Sequence, residues 1–426
     1  MRTAILNHIM AVTAGTLAAS AALNIPSDGS DGALVISSDT EIDLGLAATG
    51  NWDADNTANA GNGIYDPEKW AVVFKYSSVT VNEGATVTFR NHPSRGPVVW
   101  LVSGDVVING AVNLDGQDPV DPPALAEPGP GGFRGGSGNT APGAEEAAGF
   151  GPGGAGRRVG DHYGYYSGGG SYGSEGRNGQ PPYGNPALIP LLGGSGGGGR
   201  SSTYREAGAR GGGGGGGAIL IACAGDIHIQ GEMHANGGNG RVNGESYQDF
   251  CSGSGGGIRL VSEILSGGGS IQAVGGGGYH YGGLGRIRIE RVTNNADVQV
   301  TPDPSIVPLV DGSTPQIWMP VSGPMVRIVS IGGTQPPADP RAEFNAIGAD
   351  VVLPQTASLP VVVETTNVED ASVVTVRVTP RSNADFAEAT ATVSEVVNAD
   401  PLVLRWTAEV PVNDGYSAVQ VKVVRP

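Results

Sequence analysis

The 426-residue chain has only two cysteines, Cys223 and Cys251. Two cysteines build no disulfide framework. They are expected as small buried thiols, with a pair across neighbouring layers of a repeat left open. Lysine is nearly absent, at Lys69, Lys75 and Lys422. Arginine therefore carries the positive charge; its planar donor fork suits carboxylate and sugar contacts, and genome composition explains the bias equally well. Basic residues number 24 against 41 acidic ones, a net charge of −17. That balance excludes nucleic-acid binding through phosphates and anchoring to anionic membranes. Beyond the N-terminus no stretch approaches the ~20 apolar residues of a membrane span. The chain also lacks a Gly-x-Ser-x-Gly elbow, a P-loop lysine motif and a CxxC pair.

What the chain has in excess is glycine, 73 residues, of which 55 lie between positions 129 and 285. They form runs at 196–199, 211–217 and 275–278, broken by tyrosines, arginines and short aliphatic stretches. Glycine loses the most backbone entropy on folding, so such a block is disordered unless something orders it. Collagen is excluded because the runs have no strict three-residue period. With 39% hydrophobic residues the chain is not an ordinary disordered one.

The aliphatic pieces repeat. Residues 104–116 align with 225–237, and 262–275 is a looser, longer third copy; each follows an apolar run, at 98–102, 218–222 and 258–261. Each unit reads as strand, polar turn, strand, glycine turn, strand. Such a unit buries its apolar face only by stacking on its neighbours, the logic of a parallel β-helix, or solenoid. Val106, Ile108, Val112 and Leu114 are expected inward in one coil, and Ile227, Ile229, Met233 and Ala235 in the next. An earlier coil is expected at 79–89, with Val79, Val81, Val87 and Phe89 inward. A closing one at 284–292 turns Ile287 and Ile289 inward.

The fold class is therefore all-β. Residues 1–24 are a signal-like segment or N-terminal arm: one positive charge and an Ala19-Ser20-Ala21 ending, interrupted by Asn7 and His8. Residues 25–75 are a polar cap, and 76–300 the solenoid, with a Gly/Tyr-rich insertion at 117–210. Extended polyglycine strands packed side by side are the ordered alternative to disorder for that insertion. After a linker at 301–322, residues 323–426 show candidate strands at 325–331, 349–353, 360–366, 373–379, 389–396, 402–410 and 417–424. These resemble an immunoglobulin-like or fibronectin III-like β-sandwich, with Trp406 as core anchor and Asp414-Gly415-Tyr416 similar to a tyrosine corner.

Asp53, Asp55 and Asp66 lie in an oxygen-rich stretch with the look of a calcium loop, but without the glycine and terminal glutamate of an EF-hand. A network of Asx turns is the preferred reading there, and no other cofactor is expected. Asp105 and Asp226 hold equivalent turn positions. They serve either their own turns or, in a polysaccharide-cleaving enzyme, an outer face. The stronger signal is aromatic: Tyr163, Tyr165, Tyr166, Tyr172, Tyr279, His280 and Tyr281 are embedded in glycine. Exposed rings of this kind stack on sugars or proteins. Otherwise they pack over the glycine strands and hold the block together.

Glycine runs with interspersed aromatics on a β-scaffold are similar to glycine-rich tip adhesins of bacteriophage tail fibres and to glycine-rich bacterial surface proteins. The resemblance covers about 129–285. It implies a non-enzymatic attachment or structural protein, extracellular or on a virion, that binds a surface glycan or protein receptor and assembles as a homo-oligomer or into a larger particle. A β-helix polysaccharide lyase or hydrolase, and a purely structural fibre or coat subunit, are the alternatives.

Overall fold

The computed structural model describes residues 22–121, 123–138, 147–159, 165–199, 211–240, 251–341, 343–344, 348–382 and 384–426. Most of the signal-like segment, 1–21, lies outside them. Among the described residues the only helices are two single 3-10 turns, Leu44–Leu46 and Thr57–Asn59. The protein is all-β.

Short alternating strands from the repeated windows pair in parallel, in the alignment read from the sequence. Val106 pairs with Ile227 and Val112 with Met233, which in turn faces Ile271. Asx side chains lock this register from outside. Asp105, Asp115 and Asp118 each accept the backbone N–H of the residue 121 positions on, at 2.5–2.9 Å. Asn236 and Asn239 do the same 38 positions on. The third window keeps that spacing through Gln272, so its extra residue, Ser262, falls ahead of the aligned part.

All eight residues expected inward in the first two windows lie in one core, each at most 1% exposed. Val79, Val81, Val87, Ile287 and Ile289 join them, while Phe89 is only partly buried. The strands Val98–Val102 and Ala218–Cys223 are buried on both faces, because Leu23, Ile25 and Ile317 cover the side away from this core. That is why they read as unbroken apolar runs instead of alternating. Cys223 and Cys251 are buried and form no disulfide; burial pushes the Cys223 thiol far up.

The glycine runs form a third architecture. In the run 211–217, successive N–H groups rotate among three neighbours. Gly211, Gly214 and Gly217 donate to Val120, Gln117 and Leu114; Gly212 and Gly215 donate to Gly136 and Phe133; Gly213 and Gly216 donate to Cys251 and Ser254. Three other segments donate into its carbonyls, through Gly129, Gly238, and Gly194 with Gly197. Three residues per turn is the pitch of a polyproline II-type helix, which has no internal hydrogen bonds and so offers every backbone group to a neighbour. The run is thus surrounded by six segments and satisfied by all of them. None of its glycines has a positive φ. Glycine is required here for space: a Cβ at Gly212, Gly215 or Gly253 would overlap a carbonyl oxygen of the adjacent segment.

The C-terminal part holds two antiparallel sheets. One has four strands, Met325–Ile331, Ser358–Thr366, Leu402–Pro411 and Thr392–Ala399; the other has three, Ala387–Thr390, Val373–Pro380 and Ser417–Val424. They share a core of Val361, Val363, Val374, Val376, Leu404 and Val410. Trp406 sits in it, 2% exposed, its Nε1 donating to Thr365 Oγ1 at 2.8 Å. Three expectations are corrected. Residues 349–353 form no strand. The strand expected at 389–396 is two, because the chain crosses between sheets at the buried Ala391. Tyr416 is 38% exposed, not packed as a corner. This part rests on the glycine segments through Arg377, whose Nη1 donates to Gly151 O and Gly154 O at 3.2 Å each.

Candidate recognition surface

The glycine segments run alternately away from and back to the parallel sheets. At the near end they enter the strands Ala218–Cys223, Gly257–Gly267 and Arg286–Ala296; there Gly217 donates to Leu114 and Gly256 to Ala235. At the far end Gly199 donates to Ala147, Gly198 to Gly168, Gly212 to Gly136, Gly213 to Cys251, Ser252 to His280 and Gly240 to Gly277. The residues flanking 139–146, 160–164, 200–210 and 241–250 therefore stand side by side, together with the turn at 278–281. In the sequence, Tyr163, Tyr204 and Tyr247 belong to those connections.

At this end Tyr279 and Tyr281 are 51% and 50% exposed. The Arg177 guanidinium lies 3.8 Å from the Tyr279 ring centroid. Such a contact is worth about 0.5–1 kcal/mol at an exposed site and holds the ring in one orientation. His280 does not share the exposure expected for it. It is 2% exposed, its ring 4.9 Å from that of Tyr279, and it backs the pair as a support. Tyr163 lies outside the described residues. Tyr165 and Tyr166 belong to the strand Tyr165–Ser167, which pairs with Arg157–Val159; their side chains also lie outside.

Tyr172 is a correction. It is 1% exposed, its ring tilted against that of Tyr183 with centroids 4.7 Å apart, and it packs with Leu188. The Tyr183 hydroxyl donates to Gly193 O at 2.6 Å. A tyrosine beside glycine finds burial here because the side chains come from a different segment. The glycine next to it in sequence gives no sign of that neighbour.

The oxygen-rich stretch is not brought together as a metal site. Asp55 accepts from Thr57 N and Oγ1, and Asp66 from Glu68 N, Lys69 N and Trp52 N. Asp53 contributes only its carbonyl, to an ammonium: Lys75 Nζ lies 3.2 Å from Asp53 O, 2.5 Å from Ala54 O and 2.8 Å from Asp28 Oδ2. Among the described residues no group of three or more His, Cys, Asp or Glu is placed to hold a metal ion. Burial alone would raise the Asp28 carboxyl, but its bonds from Lys75 and Ser30 outweigh that and hold it below the usual range. Sequence reasoning missed this buried lysine; its signal was one cationic residue in the apolar stretch 71–76. Asp105 and Asp226 do stack. However, Asp105 Oδ1 is bound to Asp226 N, and burial and the Asp105 charge raise the Asp226 carboxyl.

A pH-sensitive pair lies on the outer face of the repeat. His234 Nδ1 is 3.2 Å from Asp115 Oδ2, and that hydrogen bond raises its pKa above the ordinary 6.5. A raised folded-state pKa contributes stability that is complete below the unfolded value and is lost as pH climbs through the folded one. Urea midpoints of wild type and His234→Gln are therefore expected to differ at pH 5.5 and to converge by pH 8.5. A constant difference would remove the charged pair from the account.

No protein family, curated protein or solved structure compared with this chain matches it, so function is read from the geometry alone.

Proposed function

We propose that the chain is a non-enzymatic attachment protein, extracellular or on a virion surface, in which the far end of the glycine lattice contacts a glycan or protein receptor. The stacked parallel windows act as a β-solenoid stalk, and the two C-terminal sheets as an immunoglobulin-like spacer or docking module. The observation that carries this reading is the row of lattice segment ends side by side at one end, where Tyr279 and Tyr281 stand half exposed. A lattice in which each segment is held by several others is stiff. It presents those rings without the entropy cost of ordering them on binding. The net charge of −17 gives no support to a nucleic-acid partner. Assembly as a homo-oligomer or within a larger particle belongs to the same reading.

A glycan array probed with the labelled chain tests it. Binding to one glycan class is expected, with roughly tenfold weakening in Tyr281→Ala, the loss of one well-placed aromatic contact. Unfolding midpoints should stay unchanged. No binding to any glycan would favour a purely structural fibre subunit, and binding insensitive to both Tyr279→Ala and Tyr281→Ala would remove the far end of the lattice as the contact surface. Cleavage of a polysaccharide, lost in Asp105→Ala, would favour the lyase or hydrolase reading instead.

A further inference from the structure

A cleft of about 1260 Å³ opens between the near end of the glycine lattice and the C-terminal sheets, well away from Tyr279 and Tyr281. We propose that this cleft binds a neutral oligosaccharide. Its volume exceeds the roughly 300–1,000 Å³ of pockets that hold one drug-sized molecule, which suits a short polymer. Aromatic rings come to its wall from three separate parts of the chain: Trp70 from the turn before Ala71–Val81, Phe133 from the lattice, and Phe344 and Tyr416 from the C-terminal part. Such rings cover the apolar face of a sugar, while the amides of Gln335, Gln355 and Asn413 on the same wall supply both donors and acceptors for hydroxyls.

Charge decides between neutral and acidic sugars. Five arginines line the cleft, and each already has a carboxylate. Arg95 and Arg134 share Glu127, at 3.2 and 2.7 Å. Arg327 and Arg405 share Glu364, and Arg341 lies 3.7 Å from Asp339. An anionic ligand would compete with these partners, meet the carboxylates of Glu343, Asp350 and Asp414 on the same wall, and approach a chain of net charge −17. A polyol needs only the spare donors of the guanidinium edges.

The backbone of the wall is also strained. Trp70 and Arg95, with φ of 49° and 56°, are two of the five non-glycine residues in the left-handed region among the described residues. The Trp70 indole is fixed by donation to Ser94 O at 2.9 Å. Strain of this kind persists where surrounding structure over-determines a side-chain position, and it gathers at ligand sites.

The test is calorimetric titration of the full chain with maltohexaose, cellohexaose and xylohexaose, and with trigalacturonate as the acidic arm. One-to-one saturation by at least one neutral hexasaccharide is expected. It should weaken roughly tenfold in Tyr416→Ala, the loss of one aromatic contact, and in Phe344→Ala, and be unaffected in Tyr281→Ala. Both variants should keep the wild-type unfolding midpoint. No saturation by any neutral sugar, saturation by trigalacturonate alone, or neutral binding that survives Tyr416→Ala and Phe344→Ala would each overturn the proposal. Loss of neutral binding in Tyr281→Ala alone would move the site to the far end of the lattice.

Discussion

Gly215→Ala is expected to destabilise the protein by at least the ~1–3 kcal/mol of an overpacked core, and to lower its thermal midpoint accordingly. The added Cβ would overlap the Gly194 carbonyl oxygen, which belongs to a neighbouring segment. Relief requires two segments to move apart. Each is hydrogen-bonded to further segments, so the displacement breaks bonds beyond the site itself. Alanine ordinarily favours the folded state by reducing the freedom of the unfolded chain. Gly268→Ala isolates that effect, because a Cβ there meets nothing within 4 Å and the φ is not left-handed. It should be neutral or stabilise by about 0.4–1 kcal/mol. Thermal unfolding of the two variants beside wild type decides the matter. Equal midpoints for Gly215→Ala and Gly268→Ala would mean that the lattice does not depend on bare backbone contact.

The second large effect belongs to Glu290. Its carboxylate lies 2.7 Å from Arg259 Nη2 and 2.6 Å from Arg288 Nε, with the Arg259 and Glu290 side chains only 1% and 5% exposed. Arg259 also donates to Gln316 O at 2.6 Å, tying the parallel sheet to the segment that follows it. Burial already pulls the Arg259 pKa below its ordinary value. Glu290→Ala leaves a buried guanidinium without its countercharge, a loss of about 3–5 kcal/mol. Arg327→Ala, at a side chain 71% exposed, should cost no more than about 1 kcal/mol. Urea midpoints of the two variants provide the check. An Arg327→Ala loss as large as that of Glu290→Ala would show that burial does not govern these pairs.

Much of the strand framework was legible because period-two alternation reports directly which side chains share a face. Val106, Ile108, Ile227 and Ile229 could be assigned inward, and to mutual register, from spacing alone. The double-buried strands were legible as apolar runs but not as to what covered them, since Leu23 and Ile317 are distant in sequence. The aromatic residues were legible only as a set. Whether a tyrosine in glycine is exposed like Tyr281 or buried like Tyr172 depends on the segment that arrives beside it, and a glycine run carries no side-chain pattern to say which.

By itself, then, the sequence determined the all-β class and the inward faces of the repeated windows. These are properties of neighbouring residues, set by alternation; the Asx bonds that lock the register reach 121 and 38 positions along the chain and are a product of the tertiary structure. Only the tertiary structure decided that the glycine run 211–217 has six neighbouring segments, that Tyr279 and Tyr281 stand at the far end of the lattice, and that Lys75 fills the oxygen-rich stretch. Polyglycine II-type segments have no internal hydrogen bonds, so their order exists only once several distant segments are in place.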